Sequence, residues 1–330
     1  MRKGQCMESK QKIRKMKRQL LAAILSVFTA FTALSSATYA WYVANNSVKG
    51  TTSSICATTN GFVLQIVSGL DPIKGGSSAM DDLSLSAETE GHFIGASSTA
   101  DCKIWWVPDQ WSSGLTKVKT YKTPEDLNLD TGYYTINGQP NYAYIVSTYT
   151  LYTILDTGLA DVYLDSAAEG GAIQVTRKNE DGTVTDKVAS SLRVGIVIND
   201  RKSGSTDQLK LVYAPIPESE DAVGNDENAT AGWSCVESSS TTQTVHYPYV
   251  YGTTYTDQNG KNWAAVKNGD SYHIPVQNSG KIAEKVTADG VTMKVYIWME
   301  GTDADCRNSI VNDDKSSYNV VVNLAGVTAE

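Results

Sequence analysis

The feature that most constrains this chain is hydrophobic alternation with period two. In Leu192-Arg193-Val194-Gly195-Ile196-Val197-Ile198 the even positions are all branched aliphatics, which an extended backbone would line up on one face. Met293, Val295, Ile297 and Met299 alternate in the same way with Lys294, Tyr296 and Trp298, and Tyr318, Val320, Val322 and Leu324 with residues that include Asn319 and Asn323. Three strands follow, each with a core-facing side. Weaker strands are expected at 62–67, 103–107, 143–155, 161–164, 172–176, 208–214, 244–251 and 272–277, where Val, Ile, Thr and Tyr suit a pleated surface better than a helix.

Asn-Gly or Asp-Gly pairs begin at 60, 137, 181, 259, 268 and 289, mostly between these runs, where they favour positive φ and tight hairpins. Helical periodicity is confined to a turn or two at 81–89, 124–128 and 187–193. The pattern predicts an all-β fold, an antiparallel jelly-roll or Greek-key β-sandwich. Residues 216–243 hold six acids, no base and a Ser/Thr run, and 69–90 are rich in Gly, Ser and Asp, so both read as long loop insertions. With no solenoid repeat and no Pro-rich linker, 61–330 is expected to be a single elaborated domain preceded by a segment at 41–60.

Residues 1–19 hold eight Lys or Arg and one Glu, followed by the apolar run Leu20 to Leu34 and then Ser35-Ser36-Ala37-Thr38-Tyr39-Ala40. A basic flank, a short apolar centre and a small-residue ending make residues 1–40 an export signal peptide, cut by a signal peptidase between Ala40 and Trp41. Left uncut, the apolar stretch continues through Trp41, Tyr42 and Val43 and could anchor the chain as a span of about 20 residues. No second such stretch occurs, so membrane contact is expected only through the leader, and a secreted, extracellular location follows. Beyond residue 40 there are 20 bases against 35 acids, a net of −15. Such a body repels polyphosphate, and nucleic-acid binding is not expected.

Four cysteines follow the leader, Cys56, Cys102, Cys235 and Cys306, with no C-x-x-C among them. Neither a zinc ribbon nor a thioredoxin-like site is indicated. Two long-range disulfides or unpaired buried thiols are both open readings, and spacing does not choose the pairs.

Catalytic patterns are missing. His92, His246 and His273 lie far apart, whereas a helical zinc site needs two histidines one turn apart. G-x-S-x-G and the G-x-x-x-x-G-K-[ST] phosphate loop are absent. Asp257 to Asn262 and the group Glu300, Asp303 and Asp305 offer oxygens for a calcium ion, but neither completes an EF-hand loop, and Asn259-Gly260 reads more simply as a hairpin turn. No metal, cofactor or catalytic residue is assigned. Of Trp105 and Trp106, adjacent on a strand, at most one can face a core, which leaves a tryptophan, or Trp111, as a contact for protein or sugar.

The leader ending Ala37-Thr38-Tyr39-Ala40-Trp41-Tyr42, the polar stretch after it, Gly61-Phe62-Val63-Leu64 as first core strand, and Val295-Tyr296-Ile297-Trp298-Met299-Glu300-Gly301-Thr302-Asp303 with Cys306 together resemble the TasA/camelysin family of Gram-positive bacteria. These are exported proteins processed by the SipW type of signal peptidase. The likeness covers the two ends of the chain and is loose between them. It implies a jelly-roll subunit that polymerises head-to-tail into cell-surface or biofilm-matrix fibres, its partners being further copies of itself and other matrix or cell-wall components. In such assemblies the freed N-terminal segment adds as a strand to a neighbour, because an extended segment satisfies the unpaired backbone groups of a sheet edge. The donor here would run from Trp41 to Ile55, with Trp41, Val43, Val48 and Ile55 as anchors. A flexible tether, or the first strand of the chain's own sheet, is the plainer alternative. The family also carries a metalloprotease label through camelysin, which the histidine spacing does not support. The expectation is a non-enzymatic structural protein, with a carbohydrate-binding adhesin on the same sandwich as the rival.

Overall fold

The computed structural model describes residues 48–59, 64–68 and 94–329, the last with breaks at 112–117, 137, 154–157, 179–182, 186–187, 189, 216–232, 239–240, 269–271, 276–278, 304–305 and 307–315. The chain separates into two units, Met1–Ala44 and Asn45–Glu330, the first of which lies outside the described residues. So do Ala40, Trp41, Val43 and the expected helical turn at 81–89.

All regular structure among the described residues is β. In chain order the strands are β1 (Val48–Thr59), β2 (Leu64–Ser68), β3 (Ala96–Ser97), β4 (Val107–Trp111), β5 (Val118–Lys122), β6 (Tyr133–Ile136) and β7 (Gln139–Tyr142). Next come β8 (Ile145–Thr153), β9 (Ala160–Asp165), β10 (Ile173–Lys178), β11 (Val184–Thr185), β12 (Leu192–Asn199), β13 (Gln208–Ala214) and β14 (Ser234–Ser238). The last are β15 (Thr241–Thr244), β16 (Tyr249–Tyr251), β17 (Ala264–Asn268), β18 (Tyr272–Pro275), β19 (Ala283–Val286), β20 (Val291–Glu300) and β21 (Ser316–Thr328).

One large sheet runs β11-β10-β21-β9-β17-β18, with β1 added beside β21 and β19 beside β9. The other runs β16-β13-β12-β20-β8-β2, with β3 beside β20. Hairpins β4–β5, β6–β7 and β14–β15 stand apart.

Alternation explains how the two large sheets meet. Leu192, Val194, Ile196 and Ile198 of β12, Met293, Val295, Ile297 and Met299 of β20, and Tyr318, Val320, Val322 and Leu324 of β21 join one buried apolar cluster. Strands of both sheets contribute to it, because each strand sends every second side chain to one face.

The opposite face of β12, β13 and β20 is buried as well. Val197, Val212, Ala214, Tyr296 and Trp298 pack against Trp105, Val107, Tyr144, Trp233, Cys235 and Tyr247 in a second cluster. Trp105 is its centre, with ring centroids 4.1 Å from Tyr144 and 5.5 Å, edge-on, from Trp298. Edge-to-face and tilted aromatic packing of this kind adds about 0.5–1.5 kcal/mol per pair beyond area burial.

Several expectations are corrected by the pairing. The sheets are mixed: β1–β21, β3–β20, β9–β17 and β13–β16 are parallel, so the architecture is not purely antiparallel. The strand expected at 103–107 starts instead at Val107, because Cys102 has a φ of 57° and Asp101 Oδ1 accepts the N–H groups of Lys103 and Ile104, which folds the segment into a turn. The run 244–251 is split at Pro248, which lacks an N–H for the ladder. The expected helix at 124–128 is loop and turn, and Leu192 and Arg193, expected in the helical turn at 187–193, begin β12. Part of the insertion expected at 216–243 is core, since Trp233, Cys235 and Val236 are buried in or beside the hairpin β14–β15.

Gly138, with a φ of 77°, lies where β6 turns into β7, between Ile136 and its partner Gln139. Asp289-Gly290 similarly turns β19 into β20, with the Gly290 N–H donating to Thr287 O at 3.0 Å.

Candidate functional site

The segment singled out as a donor strand occupies a sheet edge. Its described part, β1, lies parallel to β21 over eleven register pairs from Val48↔Ser316 to Thr59↔Gly326, with a bulge between Thr51 and Ser53. Val48 sits opposite Ser316 and Ile55 opposite Val322. The two are seven residues apart and their partners six, because the bulge adds one residue to β1. Trp41 and Val43 lie outside the described residues.

β21 is paired along both edges. Val320, for example, has Ser53 on one side and Val175 of β10 on the other. β10 takes Ser317 to Val322, and β9 takes Leu324 to Thr328. On the far side β21 meets only β1 among the described residues, and β1 in turn pairs with β21 alone. The thirteen residues of β21, SSYNVVVNLAGVT, include no charge and no proline. Those are the residues that usually protect an open edge from adventitious pairing, so this edge is composed to be covered. Within this chain β1 is thus a strand of its own sheet, the plainer of the two readings of this segment, and the sequence reading did not name β21 as its partner, although the long uncharged run at 316–328 was an available signal.

A second convergence lies beneath the other sheet. Arg193 on β12 forms an ion pair with Asp303, Nη2 to Oδ2 2.7 Å, with both side chains 2% exposed. Arg193 also donates to Ser190 O at 2.6 Å, and its guanidinium lies 4.5 Å from the ring centre of Trp233. Glu300 at the end of β20 accepts the indole N–H of Trp298 at 3.0 Å and the N–H of Thr302 at 3.2 Å. The Thr302 hydroxyl is within reach of both Glu300 Oε1, at 2.9 Å, and Ser234 O, at 3.0 Å. Burial pushes the Glu300 carboxyl above its ordinary value, opposed by hydrogen bonds from Trp298, Ser98 and Thr302 and by the charge of Arg193.

The cysteines border this polar core. Cys102, Cys235 and Cys306 are buried and form no disulfide in the structure; Cys56 lies on β1 opposite Asn323. Burial raises the pKa of all three thiols, and the nearby Glu300 carboxylate adds to each shift. Protonated, shielded thiols are poor nucleophiles. The Glu300 and Asp303 carboxylates and the Arg193 guanidinium have protein partners, and the cluster ties β12, β20 and the β14–β15 hairpin together.

The other sequence candidates fall into ordinary structural places. Asp257 Oδ1 accepts the N–H groups of Asn259 and Lys261, and Oδ2 accepts the indole N–H of Trp263 at 2.9 Å, so both oxygens are used inside the turn. Asp305 lies outside the described residues. Trp105 is buried, and Trp106 packs partly buried on Val118, Tyr121 and Val236. His246 is an exposed side chain 3.8 Å from Glu237. Among the described residues no three His, Cys, Asp or Glu side chains converge on a point that could hold a metal ion, and no helix is long and apolar enough to cross a membrane.

No protein-family model, curated protein or solved structure matches the chain.

Proposed function

We propose that the chain is an exported, non-enzymatic structural subunit that self-associates head-to-tail into an extracellular fibre of the cell surface or biofilm matrix, by addition of its N-terminal strand to a neighbouring copy. The single observation that carries this reading is the seam between β1 and β21. A strand near one end of the chain covers an uncharged edge strand near the other end and pairs with nothing else among the described residues.

Such a strand is exchangeable. Moving β1 from its own β21 to that of another copy replaces like hydrogen bonds with like, so exchange carries little net cost beyond ordering the partners. Each copy would give one strand and receive one at a different surface, a heterologous contact that propagates as an open filament. The finer architecture fits the same reading: a jelly-roll sandwich whose terminal strands lie side by side. The basic-apolar leader supports export, and the engagement of Arg193 by Asp303 and of Glu300 by Trp298 and Thr302 favours contact over catalysis.

The test is removal of residues 41–59 from the exported chain. The truncated protein stays folded by circular dichroism and forms no filaments in electron micrographs where the full chain does. Filaments of unchanged number and length after the deletion would overturn strand addition.

A further inference from the structure

We infer that β1 closes the β21 edge of its own subunit before assembly, so that the monomer is self-plugged and β1 must leave in cis before it can join in trans. This rests on the assembly reading and adds its regulation: the same strand is both plug and connector.

Three observations combine. The register is long and continuous on both sides of one bulge, eleven pairs with Ser316 to Gly326, so cis closure is a full seam and not a brush of two loops. β21 carries no charge or proline along its length, so without β1 its edge would be an open template for pairing. Only four residues separate Thr59 from Leu64, where β2 begins and pairs with β8 of the other sheet. A connection that short spans at most about 17 Å when extended. That length keeps β1 within reach of its own edge, and an exchanged β1 has to leave that edge for an adjoining copy. Assembly is then limited by opening of the β1–β21 seam, and a pre-opened chain or a filament end with a bare β21 accelerates it.

The register supplies the test, because native Cys56 lies opposite Asn323. Neighbouring strands lie about 4.8 Å apart, within the Cα separation a disulfide tolerates. Asn323→Cys therefore places a thiol that can lock β1 in cis. The buried thiols of Cys102, Cys235 and Cys306 are shielded, so oxidation is selective. Asn323 Nδ2 donates to Gly171 O at 2.8 Å. Should its loss prevent folding, Ser54→Cys with Val321→Cys and Cys56→Ser probes an adjacent register pair, Ser54↔Val321.

The full chain carrying either lock is oxidised as a monomer with a glutathione disulfide buffer, the bond is mapped by peptide mass, and assembly is followed by light scattering and electron microscopy. The expected result is a bond within one chain, loss of assembly when oxidised, and its return with dithiothreitol. A monomer that carries the bond and still assembles like the parent overturns the plug alone. Absence of any such bond in folded monomer overturns cis closure. A parent chain that never assembles in either redox state overturns the assembly reading and the plug with it.

Discussion

Arg193 Nη2 sits 2.7 Å from Asp303 Oδ2, and the two side chains are almost wholly withdrawn from water. One residue belongs to β12 and the other follows β20, so the pair joins neighbouring strands on the face that carries the aromatic cluster. Removing one member strands the other as a buried charge. Asp303→Ala is expected to cost about 3–5 kcal/mol, read from urea unfolding followed by tryptophan fluorescence. Replacing both, as Arg193→Met with Asp303→Leu, should recover much of that loss, since a buried pair is often matched by apolar residues of similar volume. A double variant as unstable as the single one would contradict this account.

Glu300 should leave a signature in the pH dependence of stability. Its carboxyl is raised by burial more than its hydrogen-bond donors and Arg193 lower it. The native state therefore holds the Glu300 proton to higher pH than the unfolded chain does, and stability from this group falls as pH rises from the ordinary glutamate value through the raised one. Above that window the full cost of burying the anion is present. Asp303 and Arg193 face the same pocket, so the comparison must be made against Glu300→Gln, which keeps shape and removes the titration. The difference in unfolding free energy between parent and variant should slope across the window and be flat above it; a flat difference throughout would reject the assignment.

How much of this was legible in the sequence depends on which face of a strand is considered. The even positions of 192–198 and the odd positions of 293–299 announced one core face, and both reach it. The alternation by itself assigned the opposite positions to no core. Yet Val197, Tyr296 and Trp298 form a second core, and Arg193 is buried there with a partner 110 residues away. Aromatic residues at outward positions were the signal that a second layer covers this sheet. Charge and Ser/Thr content hid Trp233, Cys235 and Val236, because composition averages over a segment whereas a hairpin buries only alternate residues. Pairing of β1 with β21 could not be read locally at all, since Thr and Ser positions become strand there through a partner more than 260 residues along.

Gly195 of β12 lies close beneath Trp298 and Cys102 of the second cluster. A Cβ at this position would lie 3.0 Å from Trp298 Cζ3 and 3.1 Å from Cys102 Sγ. Gly195→Ala is expected to destabilise by about 1–3 kcal/mol through overpacking, and to raise the alkylation rate of Cys102 in the native protein by loosening its cover. Iodoacetamide labelling with peptide mapping reads the second effect. Unchanged stability and protection would mean the layer is softer than its packing indicates.

Gly290 tests the turn chemistry that punctuates the chain. Its φ is 75°, and an added Cβ would meet Leu151 O at 2.8 Å, so Gly290→Ala combines a disfavoured backbone with a clash against the neighbouring strand. A loss of about 1–3 kcal/mol is expected, whereas Gly138→Ala, whose Cβ has nothing within 4 Å, should cost less. Thermal unfolding of the two variants side by side separates backbone preference from contact.

Asp257 separates a calcium loop from a self-sufficient turn. Its two oxygens already hold the N–H groups of Asn259 and Lys261 and the buried indole of Trp263. A cation would have to displace those donors and leave the indole N–H without an acceptor, at about 1–3 kcal/mol. Chelation should therefore leave the melting temperature unchanged, and added calcium should not raise it. Asp257→Ala should lower it, because the same three donors lose their acceptor. A calcium-dependent rise in melting temperature that disappears in Asp257→Ala would show that the turn opens to take the ion, and would reverse the assignment.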